Sequence, residues 1–156
     1  MEICVVKRDL LTVCGYCVET TSAQNDADIS ALYNDFFSSS KEELLLAMKG
    51  AQKGYYGLSW YTQAHERYCY LLGVAVGEGN SAPENAMIKK APSSTYARAC
   101  FKQGEDIIKA WKEFFYEEIY KAGLTIDSEL NVYFEYYPHS VHGDYELWVP
   151  VVTADV

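Results

Sequence analysis

Twice in succession the chain runs through two β-type segments, an amphipathic helix and two more β-type segments. In the first half, residues 2–7 and 11–20 are rich in β-branched residues, with Asp9 at the turn between them. Ile29, Leu32, Phe36 and Phe37 follow at helical spacing. Ser40 with Glu43 then predicts a capping box for a second short helix, stopped by Gly50. Residues 57–62 and 68–76 are again strand-like. A loop through Gly77, Gly79, Asn80, Ser81 and Pro83 separates the halves. In the second half, residues 86–90 and 94–101 predict strands, and a helix is predicted over 105–122. Its apolar stripe is Ile107, Ile108, Trp111, Phe114, Phe115, Ile119 and Ala122. Residues 131–137 and 145–152 close the chain as strands. The repeat is one of pattern, not of identical residues, with halves of about 1–77 and 83–156. Such units can bury their helix stripes on one shared antiparallel sheet. The expectation is a single α+β domain over 1–156, a pseudo-two-fold repeat of β-β-α-β-β units. Its helices lie on one face of the sheet, with a ligand groove between the halves.

Composition narrows the functions open to that fold. A nucleic-acid surface needs clustered Lys and Arg. Here the net charge is −9, and Lys7-Arg8 and Lys89-Lys90 are the adjacent basic pairs. Direct nucleic-acid binding is therefore not expected, whereas an acidic field attracts cations. Five cysteines, an odd number, and no signal-peptide pattern predict a reducing, cytoplasmic setting. Cys14 and Cys17 form a CxxC inside a strand, where positions three apart face opposite ways, so no redox motif is read there. No apolar run approaches a membrane span. No GxSxG, P-loop, GxGxxG or HExxH occurs, so no cofactor is expected. His139, His142 and Asp144 sit in a loop after Pro138, and their spacing alone does not predict a metal site. His65-Glu66-Arg67 reads as a solvated turn.

The chain holds 14 Tyr, 6 Phe and 3 Trp, a 15% aromatic content. Tyr has an apolar ring and a polar tip, suited to the walls of a wet cavity. In 131–137, alternation sets Tyr133, Glu135 and Tyr137 on one face and Val132, Phe134 and Tyr136 on the other. In 145–151, Glu146 shares a face with Trp148, opposite Tyr145, Leu147 and Val149. A carboxylate thus sits mid-strand among large rings, twice. With helices covering one face of the sheet, the other is free to form a concave aromatic site. Both acids and the indole are expected to look into one hollow. Trp111, on the helix stripe, is expected in the core.

Glu135-Tyr136, followed by Tyr145-Glu146-Leu147-Trp148-Val149-Pro150-Val151, resembles the C-terminal signature of the GyrI-like, or AraC-type effector-binding, family. Val13-Cys14-Gly15, Tyr56-Gly57-Leu58, Tyr70-Leu71-Leu72-Gly73-Val74 and Tyr96-Ala97-Arg98-Ala99, then Gly104 and Trp111, resemble the family's other elements in order and spacing. The resemblance spans nearly the whole chain. It implies a pseudo-two-fold sheet with a ligand groove between the halves. By motif match it implies ligand contacts from Glu135, Glu146 and Trp148, with Trp60, Tyr68, Tyr70 and Tyr133 as further candidates. The first strand begins at residue 2, which leaves no room for a helix-turn-helix domain, so the expected role is ligand binding rather than direct DNA regulation.

Three functions fit this reading. The first is binding of hydrophobic organic cations, for drug sensing or sequestration. The second is hydrolysis of electrophilic cyclopropane-containing compounds, with Glu146 or Glu135 activating water. The third is protein interaction of the kind implied by the family's name, with DNA gyrase or a regulatory partner. The sequence leaves the oligomeric state open.

Overall fold

Strand alternation divides the side chains of this chain between two faces of one sheet. In a computed structural model, which describes residues 1–63 and 66–152, the strands are β1 (Cys4–Arg8), β2 (Leu11–Thr20), β3 (Tyr55–Gln63), β4 (Arg67–Ala75), β5 (Met87–Ala91), β6 (Ser94–Phe101), β7 (Thr125–Ile126), β8 (Tyr133–Tyr137) and β9 (Tyr145–Val152). Helices α1 (Asn25–Ser38) and α2 (Lys41–Leu46) lie between β2 and β3. Helix α3 (Ile107–Glu113) runs through a π-helical turn, Phe114–Glu118, into a last turn α4 (Ile119–Lys121). The strand order is β1-β6-β9-β8-β3-β4-β2-β5, with β7 added on β9. All the pairings are antiparallel, and the sheet curls into a half-barrel.

The predicted α+β repeat is present, and the strand order shows how the halves join. Exchanging β1 with β5, β2 with β6, β3 with β8 and β4 with β9 reverses that order, so the pseudo-two-fold runs between β3 and β8. Each half lends its first strand to the other: β1 pairs β6, and β5 pairs β2. The two halves therefore share one sheet and fold around its centre.

The outer face carries the helices. Beneath α1 and α2, Phe36 and Leu45 pack on Tyr16, Leu72 and Val74. Beneath α3, Phe114 and Ile119 pack on Ala97, Ala99, Leu147 and Val149. The inner face of the curl is filled by Leu58, Leu71, Tyr96, Phe134 and Trp148. Cys14 belongs to the outer face and Cys17 to the inner, as alternation predicts. Among the described residues no helix is long and apolar enough to cross a membrane.

Local signals differ from expectation in instructive places. Ser40 precedes α2, but its side chain makes no capping hydrogen bond, so the predicted box with Glu43 is absent. The helix predicted from residue 105 begins at Ile107, because Asp106 is its N-cap and accepts from Ile108 N at 3.0 Å. Gly123, at φ +77°, follows its end, a left-handed position that favours glycine. The π turn reconciles an awkward spacing in the stripe. Phe114 and Ile119 are five residues apart, about 140° apart around a regular helix. One turn with i→i+5 bonding lets both point into the sheet, where each is fully buried. The short β7 has too few residues to show in a pattern of period two. Of the predicted turn His65-Glu66-Arg67, His65 lies outside the described residues, Glu66 is in a turn and Arg67 opens β4.

Candidate functional site

The two helices cover the two ends of the outer face and leave its centre open. A cavity of about 580 Å³ lies there, over β3 and β8, between α1 on one side and α3 on the other. This size is ordinary for a small-molecule site. Its floor is Tyr61, Tyr133 and Tyr137 with Tyr68 and Tyr70 of β4. Its walls are Ile29 and Tyr33 from α1, and Trp111 and Phe115 from α3. The expected hollow on the sheet face opposite the helices is thus corrected: the open cavity lies on the helix face, at the seam of the halves.

Glu135 stands at the bottom. It is 5% exposed. One carboxylate oxygen, Oε1, accepts from the hydroxyls of Tyr70 and, at 3.1 Å, Tyr137. The other, Oε2, accepts from Trp111 Nε1 at 2.9 Å. The Tyr33 and Tyr70 hydroxyls are 2.5 Å apart and extend the network to α1. Among the described residues Glu135 takes part in no ion pair. Burial pushes its carboxyl above the ordinary value of 4.5, and the tyrosine and tryptophan hydrogen bonds pull the other way. Burial first, then the charge of Glu135, holds the hydroxyls of Tyr33, Tyr70 and Tyr137 above the usual phenol range. They stay protonated, and they donate.

Glycine makes this cluster possible. Gly57 on β3 lies opposite Glu135 on β8. A Cβ there would come within 2.1 Å of Tyr70 Oη and 2.7 Å of Glu135 Oε1. The start of β8 is fixed nearby by Asn131, whose side chain bonds both the backbone N and O of Tyr61 at 2.9 and 2.8 Å.

Of the predicted site residues, Glu135, Tyr133, Tyr68 and Tyr70 meet in this cavity. Trp60 borders it, but its neighbours along β3, Tyr56 and Leu58, belong to the inner face. There its ring packs with Lys89 Nζ 4.5 Å above it. Glu146 and Trp148 do not join Glu135. In the β8–β9 register Glu135 faces Leu147, while Glu146 faces Tyr136 and Trp148 faces Phe134. Both therefore point to the inner face. The expected single hollow with two acids and an indole is corrected to one acid in the cavity and one on the far side of the sheet.

The physical reason is visible around Trp148. The Arg8 guanidinium lies 4.7 Å from its ring centroid and 5.3 Å from that of Phe134, and donates to Tyr56 Oη at 3.0 Å. Arg98 approaches Trp148 from elsewhere, at 5.6 Å. Trp148 Nε1 donates to Glu146 Oε1 at 2.9 Å. The aromatic cage on this face already holds cations, supplied by the chain itself. Replacing Arg8 with Ala is expected to lower stability by about 1–2 kcal/mol in urea unfolding, through the lost cation–π contacts. Ligand affinity should change by no more than about twofold in that variant and in Glu146→Gln, because both sites lie across the sheet from the cavity.

The cavity also contains residues that sequence reasoning placed elsewhere. Trp111, expected in the core, bonds Glu135 and forms a cavity wall. Tyr33 and Phe115 line it, as does His142 of the β8–β9 loop. The helix stripe could have flagged Trp111, since an indole N–H facing a sheet needs an acceptor.

The arrangement matches known proteins over nearly all of the chain. Residues 5–151 match the family described as integron-associated effector binding protein. The structure of SAV2435 bound to tetraphenylphosphonium is 19% identical, with 97% of this chain and 94% of that chain covered and a TM-score of 0.75. A putative transcription regulation protein of Staphylococcus aureus MU50 is 18% identical over 98% and 99%, TM-score 0.71. An integron cassette protein from the mobile metagenome of Vibrio cholerae is 17% identical over 96% and 95%, TM-score 0.71. No curated protein matches significantly in sequence.

Proposed function

The chain belongs to the family of integron-associated effector binding proteins, and we propose that it binds lipophilic organic cations in the Glu135 cavity, as a sensing or sequestering module rather than an enzyme. The single observation that carries this is a carboxylate, buried at the foot of an aromatic cavity, with three neutral donors and, among the described residues, no ion pair. A buried charge without a counter-charge costs several kcal/mol, even when hydrogen-bonded. A bound cation offsets that cost. The rings around it add about 0.5–2 kcal/mol each where they face the charge. A hydrated inorganic ion would have to shed its water to gain the same contacts, whereas a large organic cation is weakly hydrated and brings apolar surface with it. The negative charge of the whole chain, −9, draws cations toward the mouth. That the relative SAV2435 was solved with tetraphenylphosphonium supports the same ligand class here.

The donors explain how the carboxylate is held ready. Trp111 reaches it from α3, Tyr70 from β4 and Tyr137 from β8, so three elements converge on one group. Tyrosine walls present π faces without demanding one ligand shape, so several cations of similar size should bind. The test is a titration with tetraphenylphosphonium, followed by calorimetry and by tryptophan fluorescence, to which Trp111 and Trp60 at the cavity contribute. Micromolar binding of one cation per chain is expected, with the ligand recovered unchanged. Absence of binding at millimolar ligand overturns the reading. Conversion of the ligand, or of an electrophilic cyclopropane compound, would move the assignment to a hydrolase with Glu135 as the base.

A further inference from the structure

We infer that the natural ligand is an elongated cation whose uncharged aromatic end lies in a second chamber, contiguous with the Glu135 cavity. This rests on the cation-binding reading above and adds a substrate class to it.

The second chamber, about 520 Å³, lies between the C-terminal half of α1 and the loop joining β8 to β9. It shares Tyr33, Val141 and His142 with the cavity, so the two spaces meet along one wall. Phe37, Tyr55 and His139 bound it on its own side, and no Asp, Glu, Lys or Arg is among the described residues lining it. The Tyr55 hydroxyl donates to Glu42, which engages that carboxylate. Asn34, Ser38 and Ser140 complete the lining, so an uncharged ring can lie against Phe37 and Tyr55 there, while the buried carboxylate that can meet a positive charge is in the first cavity.

Helix α1 runs past both spaces. Ile29, Tyr33 and Phe37 are four residues apart and lie along one side of the helix. Ile29 and Tyr33 line the cavity, and Tyr33 and Phe37 line the chamber. Eight residues of helix rise about 12 Å. Tyr33 stands midway. Its hydroxyl meets that of Tyr70 at 2.5 Å, and its ring centroid is 6.4 Å from that of Phe37. Its side chain therefore borders both spaces. Phe37 is 40% exposed and lies edge-on to Tyr55 at 5.5 Å, an aromatic corner that gains by being covered. A ligand with its charge at Glu135 and an aromatic ring against Phe37 and Tyr55 would cover it.

The test compares two cations on the intact chain, phenylhexyl-triphenylphosphonium and hexyl-triphenylphosphonium, which differ only in the terminal ring. The parent is expected to prefer the ring-bearing compound by about three- to tenfold. Asn34→Trp, at an exposed helix position that borders the chamber and not the cavity, should fill the chamber and erase that preference. It should leave tetraphenylphosphonium and the hexyl compound at parent affinity. Phe37→Ala should act in the same direction. Equal affinity of the parent for both compounds, or a full preference surviving in Asn34→Trp, overturns the inference and leaves the cation site standing. Failure of all three cations to bind removes the cation site itself, and the second chamber with it.

Discussion

Glu135→Gln is expected to weaken tetraphenylphosphonium binding by about thirtyfold or more, the smallest effect seen when one partner of a buried charge pair is neutralised. The glutamine keeps the volume, and its oxygen can still accept from Tyr70 and Tyr137. Volume is thus preserved and charge removed, while the amide NH2 faces the Trp111 N–H, donor against donor, so the loss combines the Coulomb term with that one broken hydrogen bond. Proton linkage gives a second readout of the same group. The carboxyl of Glu135 is raised by burial, so cation binding must drive its proton off wherever the free site is protonated. Affinity of the parent should fall as pH drops through that raised value, and the profile of Glu135→Gln should be flat. The unliganded protein should show the complementary trend in stability. Glu135 contributes most when protonated in both folded and unfolded chains, below its ordinary value of 4.5, and that contribution is lost as pH rises through the raised folded value. Urea unfolding of parent and variant across this range isolates the effect from the other carboxylates. Equal affinity of parent and Glu135→Gln at neutral pH would falsify the assignment of Glu135 as the ligand's counter-charge.

Much of this site is legible in the amino-acid sequence. Alternation in 131–137 places Glu135 with Tyr133 and Tyr137, and that is how the strand lies. Alternation within 145–152 is equally right about Glu146 and Trp148. The step that misleads is between the strands. Side-chain direction in a hairpin depends on register, and a shift of one residue exchanges the faces. Seven residues, 138–144, join β8 to β9, too long a loop for its turn type to fix the pairing. Glu135 falls opposite Leu147 rather than Glu146, and the two acids part. Arg8 is invisible to sequence reasoning for a different reason. It comes from an edge strand 140 residues from Trp148 in sequence and reaches it across the one strand, β6, that separates β1 from β9. For Trp111 the stripe identifies the right face of the helix. It cannot say that the sheet beneath carries a cavity, because that follows from where the two helices leave the seam uncovered.

Gly57→Ala is expected to lower stability by about 1–3 kcal/mol, the usual cost of forcing extra volume into a packed site, and to weaken cation binding about tenfold or more. One methyl group does this because of what surrounds it. The added Cβ would fall 2.1 Å from Tyr70 Oη, 2.6 Å from its Cζ and 2.7 Å from Glu135 Oε1. Neither side chain can retreat freely. Tyr70 is bonded to both Glu135 and Tyr33, and Glu135 is held by Trp111 and Tyr137. Any retreat breaks hydrogen bonds to a buried carboxylate, which are among the stronger ones in a protein. Backbone conformation is not at issue, since β3 is an extended strand here and alanine is at home in it. Adding Tyr70→Leu to Gly57→Ala separates the two effects. The smaller side chain gives the methyl room, so stability should be partly recovered. Affinity should stay low, because the Tyr70 hydroxyl that holds Glu135 is gone. If Gly57→Ala alone folds and binds tetraphenylphosphonium like the parent, then the contact between β3 and the Glu135–Tyr70 pair is looser than these distances imply. The cavity would then owe its ligand to the aromatic walls more than to a carboxylate fixed in place.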